Sequence, residues 1–408
     1  MSYTPSLAVT FQDSPSLTAF GRLRTAEVQS LFGSKLLADL RVLEWDDAQT
    51  SGAGTASSFN TNQAACTLAV SNLSAGTRVR QSKRWMNYQP GKSQLILCTG
   101  VMGAGTAGIT RRIGLFETNN GLFFELSGTT LKVVRRTYVT GSPVDNAVAQ
   151  SSWNIDKMDG TGPSGITINT GLTQIFVIDF EWLGVGRVRF GFNVDGQTYY
   201  CHEFLNANVI TTVYMQIPNL PVRYEISNDG TGAAATMVQI CSNVSSEGGQ
   251  LAVGTTFSKN RGTTALTTLN NTDVYPIIAI RRQAAYPFAS VQPIAVDIVC
   301  TSTSFFNWAL ILNPTIVGTA LSWAAITNSV CETASGTTNA TTLTGGTYLH
   351  GGTGTGTIND EMSSLQNESN MTLGRTIAGV EDIIVLAAQR ITGTTEPFYG
   401  TINWREEY

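Results

Sequence analysis

The chain has 408 residues, of which 42% are hydrophobic and only 13% charged, with 40 glycines and a net charge of −4. That is enough apolar material for two or three domains with real cores, and too much for a disordered chain. It lacks the basic surplus that non-specific nucleic-acid binding requires, so no nucleic-acid partner is expected.

Hydroxyls and amides, rather than Lys and Glu, must cover most of the surface, as in β-rich proteins that assemble permanently. The pairs Arg111-Arg112, Arg135-Arg136 and Arg281-Arg282 read as strand-end charges. The six cysteines are widely spaced with no CxxC, and there are two histidines. No metal site and no cofactor are therefore expected, and the thiols read as free and buried. The N-terminus has no signal-peptide pattern, and the longest apolar run, Phe305–Leu312, is too short to cross a bilayer. No membrane insertion is expected.

Taken in order, residues 1–50 read as an N-terminal arm. Pro5 and Pro15 disfavour helix, and only Val28, Leu31, Phe32, Leu36, Leu37 and Leu40 have helix-like spacing. The Gly/Ala/Ser/Thr stretch from Ser51 to Ser58 reads as a loop. Residues 51–250 read as a β-sandwich domain. Within it, Arg111–Tyr138 is a meander, three apolar runs separated by Thr118-Asn119-Asn120-Gly121 and Ser127-Gly128-Thr129-Thr130. Gln174–Leu183 places Phe176, Ile178, Phe180 and Trp182 on one face, and Arg187–Val194 does the same with Val188, Phe190, Phe192 and Val194. Asp195-Gly196 then marks a two-residue hairpin that sets Phe192 opposite Tyr199 and Phe190 opposite Cys201; the same register would put Val188 opposite Glu203, an uncomfortable pair, so the ladder is expected to end there.

Residues 251–408 read as a second β-rich domain. Its strands are expected at Tyr275–Arg281, Val291–Cys300, Phe305–Leu312, Asp382–Ile391 and Phe398–Arg405. Pro276, Pro287 and Pro293 favour edges or strand starts. The Gly/Thr-rich stretch 334–357 reads as a polar loop. The fold class expected is all-β: two lectin-like or jelly-roll-like sandwiches behind an extended arm with little helix.

Few residues carry chemistry. Asp179 and Glu181, at i and i+2 on one strand, share a face with α-carbons ~6.6–6.8 Å apart, the kind of pair that hydrolyses glycosides. Arg187 and Arg189 on the next strand fit a solvated charge ladder with them, which is the preferred reading, so no catalytic residue is assigned. Gly103–Gly108 matches GxGxxG but precedes a strand, so it reads as a Gly-rich loop. The Asp156–Gly160 loop reads as Asx-turns rather than a calcium site. His202 and His350 read as structural. Trp153, Tyr199 and Tyr200 are the candidate glycan contacts, set against the commoner fate of aromatics in a core.

Four segments carry a resemblance. FGRLRTAEVQSLFGSK (Phe20–Lys35) is similar to the FGRLR-type opening of structural proteins from tailed-bacteriophage virions. Arg111–Glu125, Gly141–Gly165 and Asp179–Phe192 resemble the module that follows it there. The resemblance spans roughly the first 250 residues and implies a virion component with no catalytic residues. A tail, baseplate or neck protein is the first expectation, a head decoration protein the second, and a host-glycan-binding fibre the third. The implied partners are copies of itself as a homo-oligomer, other virion proteins and, for a fibre, a host surface glycan. Phe20, Arg22, Leu23 and Arg24 are the candidate assembly contacts, because Arg forms bidentate pairs well at subunit boundaries.

Overall fold

The computed structural model describes residues 27–251, 253–268, 270–335, 339–361 and 372–408. Phe20, Arg22, Leu23 and Arg24 lie outside the described residues. The regular elements among the described residues are all β-strands, apart from one 3₁₀ turn at Gln150–Ser152.

The first unit begins with β1 (Val28–Lys35), β2 (Trp45–Gly52), β3 (Thr55–Asn60), β4 (Ala65–Val70) and β5 (Gly76–Ser82). It continues with β6 (Ser93–Val101), β7 (Ile109–Phe116), β8 (Gly121–Ser127), β9 (Thr130–Thr137) and β10 (Val144–Ala149). It closes with β11 (Gln174–Glu181), β12 (Val188–Val194), β13 (Gln197–Phe204), β14 (Val222–Asn228) and β15 (Ala235–Glu247). Two antiparallel sheets form. One runs β13-β12-β11-β6-β15-β4-β3, with β1 also on β15, and the other runs β10-β9-β8-β7-β14-β5-β2. The meander is the β7–β8–β9 part of the second sheet, as its alternation requires.

Period-2 spacing puts one face of each sheet inward. Phe124 of β8 meets Phe176, Phe190 and Phe192 of the facing sheet at ring centroid separations of 5.2, 5.3 and 5.0 Å. Each such pair contributes roughly 0.5–1.5 kcal/mol beyond its buried area. Five cysteines are buried, but Cys241 is exposed, contrary to the expectation of buried thiols throughout.

The arm reading needs revision. Residues 28–35 are not helical but a strand in register with β15, Phe32 facing Val244. Phe32 and Leu36 are in the sandwich core. The same apolar residues serve a strand because Phe32 and Ser34 alternate inward with Gly33 and Lys35 outward. Residues 45–52 and 55–60 are strands as well, so the Ser51–Ser58 loop contracts to a turn.

The second unit contains β16 (Thr255–Asn260), β17 (Leu266–Thr268), β18 (Tyr275–Arg282), β19 (Ser290–Cys300), β20 (Phe305–Leu312) and β21 (Thr315–Gly318). Then come β22 (Ala324–Ala325), β23 (Cys331–Ala334), β24 (Thr341–Thr344), β25 (Thr347–Thr355), β26 (Thr357–Glu361), β27 (Ile383–Arg390) and β28 (Glu396–Glu407). A sheet β16-β28-β19-β26 with β17 faces a sheet β22-β23-β18-β27-β20-β25. The core between them holds Ile278, Leu310, Leu386, Phe398 and Trp404, with Phe306 against Phe398 at 5.0 Å. The β21–β24 ladder covers part of the six-stranded sheet's other face, over Ile311 and Val385.

Two expectations fail in this unit. The described residues of the stretch 334–357 are mostly strand, because Thr supplies β-branched side chains that ladders favour. Pro276 lies at the start of β18, as expected, but Pro293 sits inside the central strand β19, and both are at irregularities where the register shifts. A bulge is the other place a strand tolerates a missing N–H.

The units touch directly. Asn219 Nδ2 donates to Phe288 O at 3.0 Å, Asn87 Nδ2 to Glu407 Oε2 at 2.5 Å, and Ile377 N to Asp46 Oδ2 at 2.6 Å.

Candidate functional site

Strands β11, β12 and β13 carry the acid pair on the outer face of the first unit's larger sheet. Asp179 pairs with Arg189 across β11 and β12, as the ladder reading requires. Their side chains form an ion pair. Tyr200 adds its hydroxyl to Asp179 Oδ2 at 2.9 Å, and the Arg189 guanidinium lies 4.1 Å from the Tyr200 ring centroid. Gly191 stands opposite Tyr200 in the ladder. A Cβ there would overlap Tyr199 O and come within 2.9 Å of the Tyr200 Cα, so the close crossing depends on glycine.

The expected ladder is solvated, but Asp179 is only 5% exposed. Burial beside the Asp179 carboxylate pushes the Tyr200 phenol up to about 12, so it stays a hydrogen-bond donor at neutral pH. Glu181, by contrast, is exposed. Arg187 pairs with Glu203 at 3.7 Å, and its backbone N lies 3.5 Å from Glu181 Oε1. Ser93, Asp179, Glu181, Arg187 and Arg189 line a recess of about 190 Å³. Glycoside hydrolysis needs one carboxyl to donate a proton and a second to attack or activate water. Here the first acid is already held by a guanidinium and a phenol, and the recess is small beside the roughly 300–1,000 Å³ of ordinary ligand sites.

The hairpin register differs from expectation beyond its first pair. Phe192 does face Tyr199, but a bulge at Tyr200–Cys201 then sets Phe190 opposite His202 and Val188 opposite Phe204. The shift removes the uncomfortable Val188–Glu203 pair and gives Glu203 to Arg189 instead. His202 Nδ1 accepts the Asn154 N–H at 3.2 Å, and desolvation pulls the imidazole down to about 4. The turn itself is as expected, with Asp195 and Gly196 at φ of 51° and 82°.

The candidate glycan contacts separate. Trp153 is 4% exposed, packs against Phe192 and donates Nε1–H to Val148 O, so it belongs to the core and offers no platform. Tyr199 is half-buried against the same core, and its hydroxyl bonds Gln197. Tyr200 serves Asp179. The GxGxxG segment leads into β7 rather than a helix. Asp156 accepts from Met158 N and Ser164 N, and Asp159 from Thr161 N, the pattern of Asx-turns.

One surface was not foreseen. Leu37, Val42 and Leu43 are 64%, 65% and 56% exposed, while Leu36 and Leu40 in the same segment point into the core. Val42 and Leu43 also line a cleft of about 420 Å³ with Leu312 and Leu349 of the second unit. The signal in the sequence is LLADLRVLE, which has more leucine and valine than one buried face of a short connection can absorb.

No family model matches the chain, and no match is found among curated proteins. Solved structures share the fold vocabulary. A legume lectin-like domain from Entamoeba histolytica is 11% identical over 54% of this chain and 98% of its own, at a TM-score of 0.32. The Emp47p carbohydrate recognition domain is 11% identical over 55% of this chain and 97% of its own, at 0.34. A family 16 glycosyl hydrolase from Mycobacterium smegmatis is 12% identical over 53% of this chain and 100% of its own, at 0.34. At these TM-scores the likeness carries no argument about function.

Proposed function

We propose that the chain is a non-catalytic structural component of a tailed-phage virion, a tail, baseplate or neck protein that works by packing against copies of itself and other virion proteins. The observation that carries this reading is the exposure of three large apolar side chains, Leu37, Val42 and Leu43, within the segment that follows β1. Apolar side chains clustered on a surface mark a place where another surface covers them. Two further facts support it. The FGRLR-type segment leads in sequence into β1 and these residues, and Asp179, one acid of the pair considered for hydrolysis, is held by Arg189 and Tyr200.

The test is Val42→Glu/Leu43→Glu. Both side chains are exposed, so the fold should tolerate the change. The variant is expected to melt like the parent but to be missing from purified particles, tenfold or more below wild type by quantitative immunoblot (about 1.4 kcal/mol of lost association). Incorporation at the parental level would end the proposal. Removing residues 1–45 is an unsuitable test, because it deletes β1 and the core residues Phe32 and Leu36. Removing residues 1–26 deletes none of the described residues.

A further inference from the structure

The six-stranded sheet of the second unit has a groove of about 460 Å³ running across β27, β20 and β25. The register builds it. Ala387, Ala309 and Gly351 are direct neighbours on the three strands, so this row rises no higher than a methyl group; it is buried at its Ala387 end, in the cluster that Val274 packs against, and opens toward Gly351. Two residues along, on the same face, Gln389, Asn307 and Thr353 form a taller polar row. In the other direction Val385 and Ile311 lie under the β21–β24 cover, and Val274 supplies the wall. Their row ends at Tyr348, whose side chain is 61% exposed. A low row between two taller ones is a trough.

The chemistry of the lining selects a ligand. It contains no Asp, Glu, Lys or Arg, and its one imidazole, His350, lies edge-on to the Trp308 ring at 5.4 Å, so its polar groups are mainly amides and hydroxyls. Thr353 Oγ1 donates to Asn307 Oδ1 at 2.7 Å, and Gln389 Nε2 donates to Asn271 O and Thr272 O at 3.2 and 3.1 Å. Among the described residues, that leaves the Asn307 amide N–H groups and the Gln389 amide oxygen without partners, a donor and an acceptor side by side. An apolar floor, a paired donor and acceptor, and an exposed aromatic ring at one end suit a molecule with both hydroxyls and C–H faces. The trough crosses the strands, so it does not suit a peptide added as a further strand along a sheet edge.

We infer that this groove binds a neutral glycan, with a sugar ring stacked on Tyr348 and its hydroxyls bonded to Asn307 and Gln389. The site lies in the second unit, apart from Tyr199 and Tyr200, and its existence does not depend on the packing role proposed above.

The test uses the full chain on an array of neutral and acidic bacterial surface glycans, followed by titration of the strongest binder. Binding to uncharged glycans is expected. Tyr348→Ala should weaken it about tenfold or more, Asn307→Ala by about three- to tenfold, and Tyr348→Phe by less than about twofold, since the ring is kept. Because Tyr348 is exposed, its variants should melt like the parent. Three results would each overturn the inference: no uncharged glycan bound, acidic glycans preferred, or full binding by both alanine variants.

Discussion

Asp179 and Glu181 stand two residues apart on one strand, yet they meet different physical fates. Asp179 is buried under Tyr200 and paired with Arg189, while Glu181 faces solvent. Removing the cation leaves a nearly buried carboxylate with one neutral donor. Arg189→Ala should therefore cost about 2 kcal/mol, read as a lower urea midpoint at unchanged slope. Asp179→Asn should leave any glycan cleavage by the purified chain unchanged. His202 makes a separate prediction. Its imidazole titrates near 6.5 in the unfolded chain and about 4 in the folded one. Between those values the unfolded chain takes up a proton that the native state refuses. This stability is complete above pH 6.5 and is lost as the pH falls toward 4, on the order of 3 kcal/mol in all. His202→Gln should flatten that part of the pH–stability curve, and equal slopes for variant and parent would contradict it.

At the scale of strands, the sequence is legible wherever one alternating run decides the outcome. Phe176, Ile178 and Phe180 on β11 and Val188, Phe190 and Phe192 on β12 face the core as their spacing demands. The charge ladder follows from the same register. Legibility fails where the decision is non-local. The bulge at Tyr200–Cys201 follows from seating Cys201 in the core while Tyr200 crosses Gly191 to reach Asp179, and no local pattern encodes that. Leu31, Phe32 and Leu36 fit a helical period and a strand equally well over so short a span. Only β15 beside them decides. The Thr/Gly stretch after Ala334 looks like a loop because it is polar, but its strands are paired through the backbone and need little apolar content. The groove on β20, β25 and β27 was invisible for a related reason: its rows exist only once three distant segments are in register. Gly191→Ala tests the β12–β13 crossing. Its Cβ would press on the backbone of Tyr199 and Tyr200, so a loss of about 1–3 kcal/mol is expected, together with slower urea migration of the native band.

At the scale of the molecule, polar contacts join the two sandwiches at Asp46–Ile377, Asn87–Glu407 and Asn219–Phe288, the last made by the buried side chain of Asn219. Its Oδ1 accepts from Tyr88 N at 2.8 Å, and its Nδ2 donates to Asn87 Oδ1 at 3.1 Å and to Phe288 O at 3.0 Å. The side chain is 5% exposed, so Asn219→Ala leaves buried partners unsatisfied. The variant should lose about 2 kcal/mol and show two calorimetric transitions in place of one. A single unshifted transition would mean that the units are coupled elsewhere. Low charge content, the exposed Leu37, Val42 and Leu43 and an Asp179 held by Arg189 and Tyr200 support the proposed packing role. Quantitative mass spectrometry of purified particles tests this most directly. The proposed role predicts the chain at a fixed whole-number ratio to a structural protein of known symmetry, as closed homo-oligomers require. Its absence from washed particles, or a ratio that drifts between preparations, would contradict it.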